Sequence, residues 1–212
     1  MQDTAVTTIL EHAEAGAQLR RHFFQSEARN LADIALRLAL VLARGHKILL
    51  CGNGGSAADC QHLAAEFVNR FLMDRPPLPA IALTTDTSIL TAVVNDFGPE
   101  QIFARQVQAL GVPGDALLAL STSGRSPNVL AALAAARELS LTTCGLSGAG
   151  GGDMAPLCDF LLAVPDTRTP LIQEIHIAAG HLLCGLADYY LFENVSVLAP
   201  YLGKSQEPHD PE

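Results

Sequence analysis

A histidine and a glutamate in the first third of the chain have the spacing of a reactive pair. His62 and Glu66 lie four residues apart in the Ala-rich stretch QHLAAE, which is typical of a helix. Side chains at i and i+4 project from the same helix face, so we expect the imidazole and the carboxylate to lie side by side. Such a pair can transfer a proton or bind a zinc-like ion. Taken alone, the pair is equally typical of a solvated polar face.

A second pair of candidate ligands lies near the other end of the chain. Gln173 and His181 fall about two turns apart on a helix predicted over residues 170–192. Because eight residues of helix rise about 12 Å, one ion could take both side chains only if they converge, or if the ligands come from different subunits. Partly buried packing is the alternative for this pair. The candidate zinc ligands are therefore His62, Glu66, Gln173 and His181.

Two loops rich in glycine and serine have the composition of phosphate sites. After the apolar run 48–51, the chain continues as Gly52-Asn53-Gly54-Gly55-Ser56 and enters the helix of His62. Glycines let the backbone approach an anion, and a helix start offers unpaired N–H groups. A phosphate monoester also needs donors for its three acceptor oxygens, although a plain helix cap is the alternative for a run of hydroxyls. The hydroxyl groups of the second loop, which precedes a helix near Pro127, belong to Ser121, Thr122, Ser123 and Ser126.

Three further polar residues are candidate contacts for a phosphate or for sugar hydroxyls. Arg70 follows the helix of His62, and Asn95 and Asp96 lie at a polar helix break. No partner can be named for the remaining histidines, so we expect surface or structural roles for them. They are His12, His22, His46, His176 and His209.

Apolar runs alternate with helical segments along the chain. This alternation predicts an α/β fold, a three-layer αβα sandwich around a five-stranded parallel sheet, with ligands at the carboxyl ends of the strands. Both candidate phosphate loops fall at such ends. The predicted strands cover residues 48–51, 80–83, 115–120, 141–146 and 158–164.

The expected domain spans residues 1–202 and includes an N-terminal helical segment. That segment, 7–44, is predicted to form two helices with a break near 26–30, where Asn30 could cap the second helix. The tail 203–212 is polar and has two prolines, so we expect it to be disordered.

Composition excludes several classes of partner. The net charge is −9 and the sequence pI is about 5.1, which excludes a nucleic-acid partner because a phosphate backbone needs a basic stripe. The chain has no signal-like start and no uninterrupted apolar run of membrane-spanning length, so we expect a cytoplasmic protein without a membrane partner. The five cysteines are an odd number without a close pair, which is typical of reduced thiols.

Taken together, these motifs resemble one family. The chain is similar to the sugar isomerase (SIS) domain proteins, and among them to the bacterial phosphoheptose isomerases. The resemblance covers nearly the whole chain up to His181, with motifs in the same order and at matching spacing. They are CGNGGS, QHLAAE, RPPLPAIAL, NDFG, LSTSGRSPNV and IQEIH.

The resemblance implies a flavodoxin-like fold and a homotetramer with its sites at subunit contacts. The implied reaction converts sedoheptulose 7-phosphate to D-glycero-D-manno-heptose 7-phosphate through an enediol. Glu66 would be the catalytic base and His181 the acid, and the four candidate ligands would bind zinc. The substrate contacts would be Asn53, Gly54, Gly55, Asn95, Asp96, Ser121, Thr122, Ser123 and Ser126, with Ser56, Arg70 and Gln173 as further candidates.

Two features keep alternatives open. The family commonly has a basic residue before its IQE motif, where this chain has Leu171, so that contact is lost or is moved to Arg168. A non-catalytic SIS protein that binds the replication initiator DnaA also resembles this chain, but it lacks the acid/base pair, so Glu66 and His181 favour an enzyme. An isomerase or sensor of another phosphosugar is the third possibility, because phosphate loops do not specify the sugar.

Overall fold

Five parallel strands form the centre of the molecule, as predicted. The computed structural model describes residues 3–202, and the predicted tail 203–212 lies outside the described residues. The strands are β1 (Ile48–Gly52), β2 (Ala80–Ala82), β3 (Ala116–Ser121), β4 (Thr142–Ser147) and β5 (Phe160–Ala163). The sheet order is β2-β1-β3-β4-β5, and Ile48 in β1 pairs with Ala80 on one side and with Ala116 on the other.

Helices cover both faces of the sheet, because the central strands are apolar on both sides. The helices are α1 (Thr4–Ala43), α2 (Gly55–Val68), α3 (Thr87–Phe97), α4 (Ala104–Leu110), α5 (Pro127–Glu138), α6 (Thr169–Asp188) and α7 (Ala199–Leu202). Ile48 and Leu50 contribute to the core under α1, α2 and α6, whereas Leu49 and Cys51 contribute to the core under α4 and α5. Short 3-10 segments lie at Pro99–Gln101, Gly152–Leu157 and Val195–Val197, and a π-helical turn follows α6 at Tyr189–Glu193.

The predicted break in the N-terminal segment is wrong, since α1 is a single helix of 40 residues. Ser26 bonds back to the Phe23 carbonyl, so its hydroxyl is satisfied inside the helix. Asn30 is not a cap, because its amide donates to the Leu161 carbonyl of β5 at 2.8 Å. Asn30 therefore attaches the helix to the edge strand β5 instead of ending it.

Only the second half of α1 belongs to the core. Phe23 is its first buried residue, and Val6, Ile9 and Leu10 in the first half are more than half exposed. The extension after α6 packs on the other end of α1, where Leu198 is buried and Arg44 donates to the Tyr201 carbonyl at 2.8 Å.

Helix α6 is apolar because it is a core helix. By length and composition alone, the segment Thr169–Glu193 could cross a membrane. In the structure, α6 packs against α1 and α2, and 11 of its 20 residues, between Leu171 and Asp188, are buried. The burial explains the composition, and this helix also carries Gln173 and His181.

Candidate active site

The two phosphate-type loops lie side by side at the carboxyl ends of the adjacent strands β1 and β3. They enclose an open cavity of about 290 Å³. The first residues of α6 close a third side of this cavity, which brings Gln173 to the loops although it is far away in the sequence. The lining residues are Asn53, Gly54, Gly55, Ser56, Leu120, Ser121, Thr122, Ser126, Thr169 and Gln173.

Two positions of the first loop require glycine for steric reasons. Gly54 precedes α2 with a φ of +55°, a conformation that side chains rarely adopt. At Gly55, an added Cβ would lie 2.5 Å from the Gln173 amide nitrogen. The absence of a side chain at Gly55 therefore lets α6 bring Gln173 against the start of α2.

The hydroxyls of the second loop are partly organised before any ligand binds. Ser121 is buried at the end of β3, and its Oγ lies 2.9 Å from the Oγ of Ser126. Ser126 precedes Pro127, the first residue of α5, so the helix start and the hydroxyls face the same space. Ser123 is exposed and is not a lining residue, but its Oγ lies 3.4 Å from the Oγ of Ser121 and accepts a bond from the Arg125 amide at 3.1 Å.

A separate cluster forms where α2 and α6 cross. The Nε2 atoms of His62 and His181 are 2.8 Å apart, and Glu66 Oε1 lies 3.3 Å from His62 Nε2. The Phe71 ring stacks on the His181 ring with centroids 5.4 Å apart. About half of the His62 side chain and a fifth of the Glu66 side chain are exposed, so the cluster opens to the surface.

Close helix packing produces this cluster. Leu63 of α2 lies directly on Gly180 of α6, where a Cβ would come within 2.6 Å of its methyl groups. The missing side chain at Gly180 allows the helices to approach at this point. His62, which precedes Leu63, and His181, which follows Gly180, meet beside it.

The donor set fits a zinc-type ion. One ligand atom from each of His62, Glu66 and His181 lies within 4.8 Å of the others. Two imidazole nitrogens bound tetrahedrally at about 2.0–2.1 Å would be roughly 3.3 Å apart, so the two rings need to separate by only about half an ångström. Two imidazoles and one carboxylate also leave a position for substrate, as catalytic zinc sites do.

Asp59 adds a buried acceptor one turn before His62. Its Oδ2 is buried and has no hydrogen-bond partner within the described residues 3–202. Burial raises the pKa of Asp59, while the nearby His62 and His181 oppose this rise. The Asp59 carboxyl group is therefore a further oxygen acceptor beside His62 and His181.

Several predicted residues lie elsewhere. Arg70 is exposed beyond the end of α2, and Asn95 and Asp96 are exposed at the end of α3, where the Asn95 amide donates to Asp96 at 2.7 Å. These three residues do not line the cavity between the two loops. Gln173 lines that cavity and is eight residues from His181 on α6, whereas His62, Glu66 and His181 are together.

Two positions near the IQE motif have structural roles. Leu171, where the family often has a basic residue, is buried, and the nearby Arg168 is held by Asp166 at 2.6 Å. His176 is also buried, with its Nε2 3.1 Å from the Ser147 carbonyl. Burial lowers the pKa of His176 to about 4, although the bond to Ser147 opposes this shift. His176 is therefore a neutral core residue.

Sequence reasoning missed two side chains that support the site. Asn128, in the first turn of α5, exchanges two amide hydrogen bonds of 2.9 Å with Asn53, which joins the two loops. Arg75 is buried behind the last turn of α2 and pairs with Asp188. The i, i+3 spacing of Asp59 and His62 was visible in the sequence, whereas the partners of Asn128 and Arg75 come from distant segments.

Comparisons with known proteins identify the family of this chain. Residues 11–148 match the SIS domain family. A phosphoheptose isomerase of Nitratidesulfovibrio vulgaris (strain Miyazaki F) is 65% identical over 208 residues, covering 98% of this chain and all of the relative. A phosphoheptose isomerase of Burkholderia pseudomallei is 51% identical over 89% of this chain and 95% of its own length.

Solved structures give the same result. The phosphoheptose isomerase of Neisseria gonorrhoeae superposes with a TM-score of 0.83 at 40% identity, over 87% of this chain and 99% of its own. That of Francisella tularensis superposes with a TM-score of 0.85 at 39% identity, over 88% and 99%. The chain therefore belongs to the SIS domain family and, within it, to the phosphoheptose isomerases, which are sugar-phosphate isomerases.

Proposed function

We propose that this enzyme interconverts sedoheptulose 7-phosphate and D-glycero-D-manno-heptose 7-phosphate. The observation that carries the proposal is the joint presence of a phosphate-type cavity and a histidine–carboxylate cluster on the same helix pair, α2 and α6. The relatives named above supply the sugar class, since the cavity itself specifies only a phosphate.

The cavity would hold the phosphate of the substrate. The Ser121 and Ser126 hydroxyls can donate to its oxygens, and the starts of α2 and α5 supply backbone N–H groups and a partial positive charge. Because a phosphate monoester is a dianion, these neutral donors bind it through charge-assisted hydrogen bonds. Asn53 and Asn128 line a neighbouring cavity that shares Asn53 and Ser126 with the first, and the sugar chain would extend into it.

The cluster would move the protons. Isomerisation of a ketose to an aldose transfers a proton between C1 and C2 through an enediol, which requires a base for the carbon-bound proton and an acid for the oxygens. We assign Glu66 as the base at C1 and His181 as the acid. The aromatic face of Phe71 fixes the orientation of the His181 ring.

A zinc ion is the cofactor that we propose for this cluster, with His62, Glu66 and His181 as its ligands. Zinc would supply Lewis-acid stabilisation of the negative charge that develops on the substrate oxygens. Glu66 cannot be a tight ligand and a free base at the same moment, so it would act as the base only while it is not bound to the ion. Gln173 would join this set only from another subunit, because eight residues of helix separate it from His181.

Distances along α2 favour a site that is shared between subunits of the proposed homotetramer. Gly55 at the cavity and Glu66 in the cluster are separated by about 16 Å of helix rise. An extended seven-carbon phosphate spans only roughly 10 Å from C1 to phosphorus, since each C–C bond is about 1.5 Å. A substrate held by the cavity of one copy would therefore meet the cluster of another.

The surface around the cluster has the composition of a subunit contact. Val68, Leu72 and Leu182 lie close to it in the sequence and are 47%, 79% and 43% exposed, and the first half of α1 exposes further apolar side chains. Exposed apolar groups concentrated in this way are typical of an interface. Assembly would bury them and bring the two halves of the site together.

The experiment that tests the proposal is an isomerase assay with sedoheptulose 7-phosphate, with Glu66→Gln beside the wild type. We expect kcat to fall at least about a hundredfold in the variant, with KM nearly unchanged, because general-base catalysis contributes at about this level. Glu14→Gln, on the exposed part of α1, is the matched control. Wild-type turnover in Glu66→Gln would overturn the base assignment, and an inactive wild type loaded with zinc would overturn the reaction.

A further inference from the structure

A buried arginine joins the ends of the two helices that carry the cluster. Arg75 lies in the loop after α2, and only 1% of its side chain is exposed. Its Nη2 donates to the Glu66 carbonyl at 2.9 Å, its Nη1 donates to the Phe67 carbonyl at 2.7 Å, and its Nε donates to Asp188 Oδ1 at 2.8 Å. One guanidinium therefore holds the last turn of α2 and the last residue of α6.

The backbone contacts have a clear physical role. The last carbonyls of a helix have no partner within the helix and carry a partial negative charge. A planar guanidinium can satisfy two of them and a carboxylate at the same time, which a lysine ammonium cannot do in the same geometry. One of these carbonyls belongs to Glu66 itself, so the bond acts on the backbone of the proposed base.

Arg75 supplies the third of three contacts along the α2–α6 interface. Near the start of α2, Gly55 lies on Gln173, and in the middle Leu63 lies on Gly180. The Leu63–Gly180 contact is a narrow crossing point about which the helices could rotate. Glu66 lies one turn beyond it, on the side that Arg75 and Asp188 hold together.

An ion pair in this place needs a reason other than stability. Burying two charges costs several kcal/mol each, and apolar replacements are often as stable. The remaining oxygen of Asp188, Oδ2, has no hydrogen-bond partner within residues 3–202, so the pair is not optimised for stability. Its geometry, in contrast, fixes the turn that carries Glu66.

We propose that Arg75 and Asp188 are positioning residues, which hold the Glu66 carboxylate against His62 and His181. This inference rests on the proposed function of the cluster. When the pair is broken, the last turn of α2 is released and Glu66 moves away from the histidines. The phosphate cavity, at the other end of the same helix pair, keeps its form.

The test compares this pair with a second buried ion pair outside the site. Lys47 and Asp115 are joined at 2.6 Å before β1 and β3, at the amino end of the sheet, and Asp115 is fully buried. Arg75→Lys keeps the positive charge and loses the planar fork, whereas Asp115→Asn weakens the control pair. Thermal unfolding of both variants shows how much stability each has lost.

We expect Arg75→Lys to lower kcat at least about tenfold while KM for the sugar phosphate changes less than about twofold, because the misplaced group acts on chemistry and not on phosphate binding. Zinc affinity should fall by a similar factor. Asp115→Asn should lose at least as much stability and keep both kcat and zinc affinity. Unchanged kcat and zinc affinity in Arg75→Lys, or equal losses of both in Asp115→Asn, would reduce the pair to a structural role.

A crystal structure of Arg75→Lys separates this inference from the proposed reaction. We expect the Glu66–His62 contact, 3.3 Å in the wild type, to lengthen beyond hydrogen-bonding distance while the Ser121–Ser126 contact is kept. This readout depends neither on activity nor on zinc. An unmoved Glu66 would overturn the positioning role even if the enzyme were an isomerase, and a displaced Glu66 would support it even if the wild type were inactive.

Discussion

His62 and His181 approach each other to 2.8 Å between their Nε2 atoms, although they are 119 positions apart in the chain. At this distance, one nitrogen carries a proton and donates it to the lone pair of the other. A metal ion that took the place of this proton would meet both lone pairs and the Glu66 carboxylate. The arrangement is therefore compatible with the zinc site proposed for this cluster.

The first prediction concerns the metal. We expect the wild type to bind about one zinc ion per chain, and His62→Ala or His181→Ala to weaken binding at least about a hundredfold, because each removes one of three ligands. Metal content after dialysis and calorimetric titration would measure this. His22→Ala, which removes an exposed histidine of α1, is the control. Equal zinc content in all these proteins would contradict the site.

The second prediction concerns the phosphate. Replacement of both Ser121 and Ser126 by alanine removes two hydroxyl donors, and a hydrogen bond to a charged group is worth about 1.5–3 kcal/mol. Two such bonds amount to at least about 3 kcal/mol, so we expect KM for the sugar phosphate, and the inhibition constant of inorganic phosphate, to rise at least about a hundredfold. Steady-state kinetics with phosphate as a competitor would measure both.

The matched control for this prediction is Ser26→Ala. The Ser26 hydroxyl bonds to the Phe23 carbonyl inside α1, away from the cavity. It should leave both constants unchanged. If the double variant behaves like this control, the cavity does not bind the phosphate.

The α/β fold and the position of the two glycine- and serine-rich loops at strand ends could be predicted because their signals are local. Apolar runs marked the strands, and Gly52 to Ser56 and Ser121 to Ser126 marked the loops by composition alone. The break near Asn30 was predicted wrongly, because a polar residue inside a helix looks like a cap until its partner, the Leu161 carbonyl, is known. The contacts of Arg75 could not be predicted, because its partner Asp188 is 113 positions away.

The separation of Gln173 from His181 was also readable from helix geometry, whereas the contact of His181 with His62 was not. The first follows from positions on one helix, and the second needs the crossing of α2 and α6. That crossing depends on the missing side chain at Gly180. Local patterns therefore identified candidate residues, and tertiary packing decided which of them lie together.

The third prediction concerns the buried His176, which titrates differently in the folded and unfolded chain. Its pKa is about 4 in the native state, against 6.5 for a free histidine. As the pH falls below 6.5, His176 binds a proton in the unfolded chain, whereas in the native chain it binds one only near pH 4. The free energy of unfolding therefore decreases between pH 6.5 and 4. The loss amounts to on the order of 3 kcal/mol.

Urea unfolding of His176→Gln and the wild type between pH 4 and 8 would isolate this contribution. Glutamine keeps an N–H donor for the Ser147 carbonyl and does not titrate, so we expect its stability to decrease less between pH 6.5 and 4. His22→Gln, at an exposed position, should follow the wild type. Parallel curves for His176→Gln and the wild type would contradict the assignment.

The fourth prediction concerns the shared site. A chain with Ser121→Ala and Ser126→Ala keeps its cluster, and a chain with Glu66→Gln keeps its cavity. At a substrate concentration near the wild-type KM, each variant alone should have little activity, because the first binds the phosphate weakly and the second lacks the base. If one copy supplies the cavity and another the cluster, random mixing at equal amounts restores both intact halves in about a quarter of the sites of a symmetric oligomer.

The measurement is the activity of co-expressed chains relative to the wild type. The control is a mixture of Glu66→Gln with a chain that carries Ser121→Ala, Ser126→Ala and Glu66→Gln together. It should stay inactive, because no chain contributes an intact cluster. Mass measurements would verify that the two kinds of chain have assembled together. If the first mixture does not exceed this background, the whole site lies within one chain. A movement of the substrate would then have to bridge the helix rise of about 16 Å.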